Sequence, residues 1–283
     1  MKRAHLAVVK MARLYWVILF AEIAACSGKV ALRYRPRRDA VHHYVLTMRY
    51  SREDAPIVAS VARTGRVWTI YYTQFGRFTD PRGTGSEVSL QIDSAQLQPS
   101  GADPNLSPMH GATILAFLDG RGQLQRTEPD TFPGLTPDMV LRLRAIGAAV
   151  APWFPQEPVK PGDGWTVMTR APLELLEMSG RDSAELQLHD TLNALQESVN
   201  DRIADVGING QLPTVETRVT TSLGALAARS SGTIIGRYRF SLPRGVMIFE
   251  ERSVRLALVT DAPMVGRDTL LSRLVTQTTI RLQ

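Results

Sequence analysis

The chain has 283 residues, 44% of them hydrophobic and 21% charged, with a formal net charge of +6. That is material for one large domain or two ordinary ones, and the mixed charge and ordinary Gly and Pro usage exclude wholesale disorder and collagen-like repeats. One cysteine excludes an internal disulfide and a cysteine-built zinc or iron–sulfur site. The basic residues include four lysines, the rest being arginines scattered among acidic neighbours. No phosphate-binding stripe with interleaved aromatics emerges, so no nucleic-acid partner is expected.

The N-terminus places Lys2, Arg3, Lys10 and Arg13 before the apolar run Leu14 to Ala21, the charged and apolar parts of an export signal. Eight apolar residues fall short of the about 20 that a helix needs to cross a bilayer. Met11 is an alternative start, leaving a shorter charged segment. Ile23-Ala24-Ala25-Cys26 resembles the lipobox of bacterial lipoproteins, from which Glu22 and the long charged segment depart. That resemblance implies cleavage before Cys26, a covalent diacylglycerol on its sulfur, and anchoring in the cell envelope. With Ser27 next, it further implies the outer membrane, facing the periplasm. Removing residues 1–25 lowers the net charge to about +3.

Residues 26–40, with Lys29, Arg33, Arg35, Arg37, Arg38 and Pro36, read as an extended tether. From Tyr44 the pattern turns to β: Val45, Thr47 and Arg49 alternate with Leu46, Met48 and Tyr50. Val67 to Thr73 is aromatic and β-branched, and Val88, Leu90 and Ile92 share a face. Thr113 to Leu118 is a further strand, turned by Asp119-Gly120-Arg121-Gly122. Thr136 caps and Pro137 opens a predicted helix whose Met139, Leu143, Ile146 and Val150 follow helical spacing. A proline-stiffened connection, Pro155 to Gly164, leads on to Trp165.

Residues 186–209 fit a helix by the spacing of Leu188, Leu192, Leu195 and Val199, and equally a hairpin turned at Asn200-Asp201. Thr233 to Leu242 and Val246 to Val259 read as two strands joined by Pro243-Arg244-Gly245, with Gly236 marking a bend or bulge. The run Pro155-x-x-Pro158-Val-Lys-Pro-Gly-Asp163-Gly-Trp165, the Asn-Asp turn and the Phe240 to Gly245 hairpin resemble a group of uncharacterised bacterial lipoproteins, over roughly residues 155–260. The resemblance favours the hairpin, and implies a second sheet opening at Trp165 and a curvature similar to the incomplete barrels of lipoprotein carriers. The expected fold is mainly β (α+β): curved antiparallel sheet forming an incomplete barrel or two sheet halves, with one central amphipathic helix. The divisions are signal 1–25, lipidated tether 26–40, first β half 41–130, helix and connection 131–163, and second β half 164–283.

Motifs for the common hydrolase, phosphate-loop, zincin and dinucleotide-binding sites are missing. His42 and His43, adjacent on a strand, face opposite ways and so do not converge on a metal. Glu174 and Glu177 share a face only if helical, and Glu250 and Glu251 point oppositely, so no acid–base pair is assigned. Asp163 is read as a turn residue and Trp165 as a core anchor. The sharper expectation is an apolar trough lined by Trp68, Tyr71, Phe117, Trp165, Tyr238, Phe240 and Phe249, suited to an amphipathic small molecule. The plainer alternative is that the 136–150 helix fills that face and the aromatics are core. The function expected is a lipid-anchored envelope protein, non-enzymatic and without metal or cofactor, that binds such a ligand. A docking module for another envelope protein, or an unrecognised hydrolase, are the alternatives.

Overall fold

The computed structural model describes residues 28–52, 65–79, 85–98, 106–128, 134–136, 139–140, 143, 146, 153–172, 183–221, 224–261 and 269–283. The signal and Cys26, most of the expected 136–150 helix, and Glu174 and Glu177 lie outside them.

Eleven strands follow in order: β1 (Val41–Arg52), β2 (Val67–Thr79), β3 (Gly85–Gln98), β4 (Thr113–Asp119), β5 (Leu124–Glu128), β6 (Gly164–Pro172), β7 (Ser183–Ser198), β8 (Asp201–Thr221), β9 (Gly224–Ser241), β10 (Val246–Asp261) and β11 (Thr269–Leu282). They form one antiparallel sheet in the order β5-β4-β3-β2-β1-β11-β10-β9-β8-β7-β6, which does not close into a barrel. Neighbours in sequence are neighbours in space throughout, except across the β5 to β6 crossover. The two β halves are therefore joined by a single ladder, β1 on β11, with Tyr44 opposite Leu282 and Leu46 opposite Ile280. Closing a loop of more than two hundred residues costs little more than closing a short one, because the entropy grows only with the logarithm of length.

Alternation decides which face is covered. Tyr44, Leu46, Met48 and Tyr50 of β1 are buried, as are Trp68, Ile70 and Tyr72 of β2 and Val88, Leu90 and Ile92 of β3. The same face continues through Ile280, Leu256, Ile234, Tyr238, Phe240, Val206, Ile208, Leu188 and Val167. Tyr44 stacks on its ladder partner Tyr72, centroids 5.2 Å apart.

Irregularities re-aim this pattern. Where β10 meets β9, Met247 faces Phe240 but Phe249 faces Arg239, so Ile248 is an extra residue. A bulge of this kind shifts the pleat by one. It turns Glu250, Arg252, Val254 and Leu256 inward and Phe249 outward.

The hairpin expected within 186–209 is β7 and β8, but its two-residue turn is Val199-Asn200, with Asp201 already paired to Ser198. The expected helix is not described as an element; Thr136 Oγ1 accepts from the Met139 amide at 3.4 Å, and Met139, Leu143 and Ile146 are buried in the core.

The segment read as a tether is extended, but from residue 30 onward it is packed rather than free. Val30, Leu32 and Tyr34 alternate into the core. Val30 pairs with Val159 through two backbone hydrogen bonds of 2.7 and 2.9 Å. Arg33 donates to the carbonyls of Pro155 and Gln156 at 3.0 and 2.7 Å. Farther on, Arg35 N donates to Gly245 O and Asp39 N to Gly76 O. Both glycines are required there: a Cβ would lie 2.2 Å from the Arg35 carbonyl oxygen at Gly245, whose φ is +68°, and 2.2 Å from that of Arg37 at Gly76. Real Cβ atoms do not approach a carbonyl so closely. The crossover supplies the other half of this cover. Phe154 is buried edge-on against Phe240, centroids 4.6 Å apart, and lies 6.3 Å from Tyr238.

Candidate functional site

The seven aromatics expected in a trough divide between the two faces. Trp68, Tyr238 and Phe240 are buried on the covered face and belong to one cluster with Leu32, Tyr34, Met109, Leu143 and Phe154. Trp165 is half-buried against that cluster, its indole Nε1 donating to the Trp153 carbonyl at 2.9 Å. Tyr71, Phe117 and Phe249 lie on the opposite face by register. Arg126 sits 4.1 Å over the Phe117 ring, and Arg237 and Arg281 flank Phe249 at 5.5 and 5.7 Å. Asp163 is a turn residue: its carboxylate accepts from the Lys160 amide at 3.0 Å, and its own amide donates to the Lys160 carbonyl.

What the sequence reading missed is a polar cluster on the covered face. Asp190 of β7 and Glu250 of β10 are 1% and 2% exposed, among apolar neighbours. Glu250 is ion-paired with Arg252, two residues along the same strand and on the same side of the pleat. Arg252, Gly236, Ile208 and Asp190 stand opposite one another across four strands. Gly236 has no side chain to occupy that row, and a Cβ there would lie 2.5 Å from the Glu251 carbonyl oxygen. Tyr238, cross-strand from Glu250, completes the group on one side and Tyr72 on the other. Trp153, from the crossover, lies over the Arg252 guanidinium at 5.7 Å.

The cluster is not internally satisfied. Neither oxygen of Asp190 meets a donor, and the hydroxyls of Tyr72 and Tyr238 and Nε of Arg252 are buried without a partner. Burial away from water penalises the charged form of an acid, and the Asp190 carboxyl is pushed from 3.8 up to about 8. Arg252 opposes that rise and Glu250 adds to it. Glu250 is itself raised by burial, against the pull of Arg252. Burial likewise lifts the Tyr238 phenol well above its ordinary value, with Asp190 and Glu250 adding to it. Burial therefore favours the protonated form of Asp190, beside Glu250 and its partner Arg252. An unmet buried polar group costs about 1–3 kcal/mol, so five such atoms in one place mark a site rather than routine core.

Elsewhere some polar contacts are buried and satisfied, as where the Tyr44 hydroxyl donates to the Met247 carbonyl and Gln74 Nε2 donates to the Tyr34 hydroxyl, and others lie nearer the surface. His42 and His43 do face opposite ways: His42 lies edge-on to Tyr44, while His43 Nδ1 lies 2.9 Å from Thr73 Oγ1, which donates to Asp93 Oδ2 at 2.7 Å. Asp93 is the residue skipped by the β2–β3 register shift, which explains its reach to Thr73. His110 meets the Asp93 carbonyl and His189 the Thr166 hydroxyl. Among the described residues, no group of three or more His, Cys, Asp or Glu is arranged to hold a metal ion. A shallow groove of about 660 Å³ runs between exposed Arg255 and Arg273 over Ser231 and Ala257.

Asp190 was legible as a charged residue in the inward alternation Leu186, Leu188, Asp190, Leu192, once that stretch is taken as a strand. Arg252 was not, because its direction depends on the bulge at Ile248. The fold thus defines an open antiparallel sheet with one covered face and a largely buried polar cluster within it. Compared with known proteins, the chain matches no family model and no curated sequence.

Proposed function

We propose that this is an exported, lipid-anchored cell-envelope protein that works without catalysis, holding a hydrophobic or amphipathic small molecule against the covered face of its open sheet. Diacylglycerol on Cys26 would hold it to the outer membrane, on the periplasmic side. In this reading the sheet is curved as an incomplete barrel and a helix over 136–150 contributes to the cover. The burial of Met139, Leu143 and Ile146 supports that placement. The observation that carries ligand binding is the set of unpartnered polar atoms around Asp190, inside an otherwise apolar layer. A ligand that brings both a polar head and an apolar body would meet both demands of that environment. Catalysis is the weaker reading, because Glu250 is committed to Arg252.

Two measurements test the proposal. Cys26→Ser should abolish lipid modification and release the full-length chain from the membrane fraction; unchanged processing and membrane retention would refute the anchor. Native mass spectrometry of that released protein, with organic extraction, should reveal a stoichiometric small-molecule adduct. A second reading rests on β6, whose outer edge is unpaired among the described residues and which exposes Met168 at 58%. An open edge accepts an added strand from a partner. Absence of any adduct, together with partner binding lost on placing a proline in β6, would favour that docking role.

A further inference from the structure

Charge and hydrogen-bond capacity in the cluster are lopsided. Glu250 already has its counter-ion in Arg252. Asp190 has none of its own, and both of its oxygens stand open as acceptors. The groups that face it are Arg252 and Glu250 from β10 and Tyr238 from β9, while Tyr72 lies near Glu250 and Tyr34 near Tyr72. An anionic head group would add a third acid to a site with one guanidinium, and that guanidinium is taken. A neutral head group would leave Asp190 as a buried neutral acid and would draw nothing from its capacity to pair with a charge. A cation supplies what is missing, and the ring of Tyr238, beside Asp190, offers a face that attracts cations.

We infer that the cluster recognises an ammonium group, the head of an amphipathic amine, with Asp190 as its counter-charge and Tyr238 as a flanking hydroxyl. The inference rests on the ligand-binding role proposed above and specifies its ligand class. Entry is past Arg252, whose side chain retains 23% exposure, beside the half-buried Trp153. The exchange balances as one proton for one cation: the ammonium binds, Asp190 gives up its carboxyl proton to solvent, and a buried ion pair replaces a buried neutral acid. No bond to carbon or nitrogen is made or broken.

The test uses the full-length chain carrying Cys26→Ser, purified without detergent, and three probes with the same ten-carbon tail: decylammonium, decanoate and decanol. Calorimetry in buffers of different ionisation enthalpy reads affinity and proton release together. Decylammonium should bind at least about tenfold more tightly than either of the others, a difference of about 1.4 kcal/mol, and release close to one proton near pH 6.5. Asp190→Asn should remove both the preference and the proton release. Equal or tighter binding of decanoate or decanol would overturn the amine assignment while leaving amphiphile binding standing. Preference for the amine that survives Asp190→Asn would overturn the role of Asp190. Failure of all three probes to bind would refute the ligand-binding function itself, and the inference with it.

Discussion

Replacing Asp190 by asparagine tests the energetics of the sealed cluster directly. Asparagine keeps the shape and removes the titrating proton. The Asp190 carboxyl titrates near pH 8 in the folded chain, against 3.8 as its ordinary value. Between those values the folded state binds the extra proton, so stability falls as pH rises through that window. About four pKa units at about 1.4 kcal/mol each set an upper bound of about 6 kcal/mol on the loss. The asparagine variant lacks this slope. Glu250 is raised by burial in both proteins and largely cancels in the comparison. The variant should therefore gain on the parent steadily from about pH 5, reaching a plateau of several kcal/mol above about pH 8. Urea denaturation midpoints at several pH values between 5 and 9, at unchanged denaturant slope, check this. A difference between the two proteins that is flat with pH, or that grows toward acid, would mean that the Asp190 carboxyl is not raised by burial in the folded chain.

Gly76→Ala should push residues 35–40 off β2, since its Cβ has only 2.2 Å to the Arg37 carbonyl oxygen; a loss of about 1–3 kcal/mol and faster tryptic cleavage at Arg35, Arg37 and Arg38 are expected. Unchanged cleavage would mean that the segment is not held there. Phe154→Ala empties a buried site against Phe240 and should cost about 3–5 kcal/mol in thermal or chemical denaturation. Deleting β11 removes the ladder that joins the two halves of the sheet and should abolish the cooperative unfolding transition, as followed by circular dichroism; a transition retained at the parent midpoint would refute the topology.

The strands themselves were legible along the chain because alternation is local. Leu46, Met48 and Tyr50 against Val45, Thr47 and Arg49, or Val88, Leu90 and Ile92, announce a strand and its buried side without reference to any other segment. The Pro243-Arg244-Gly245 turn was legible for a similar reason, since glycine and proline punctuate the backbone wherever they stand. The bend or bulge expected at Gly236, by contrast, is not found: it pairs in register with Arg252 and Ile208, and the bulge falls at Ile248 instead. The 269–282 strand, rich in threonine with scattered leucines, has no comparably clean alternation, and only its partners β1 and β10 fix its role. The same holds for residues 28–40, whose arginines and proline read as a solvated linker. Val30, Leu32 and Tyr34 become core only because the Val159 segment and the two glycines receive them.

The charged cluster shows the division most plainly. Glu250 and Glu251 were read correctly as facing opposite ways, but which of them points inward is set by one extra residue at Ile248, a property of how β10 pairs with β9. Asp190 and Arg252 are 62 residues apart in the chain and share a row because three ladders hold their register. Residue type and spacing along the chain determined the β class, most of its strands and the Pro243-Arg244-Gly245 turn. Register, bulges and the long-range β1–β11 pairing decided which polar groups are sealed together, because burial and electrostatics depend on distance in space rather than along the chain.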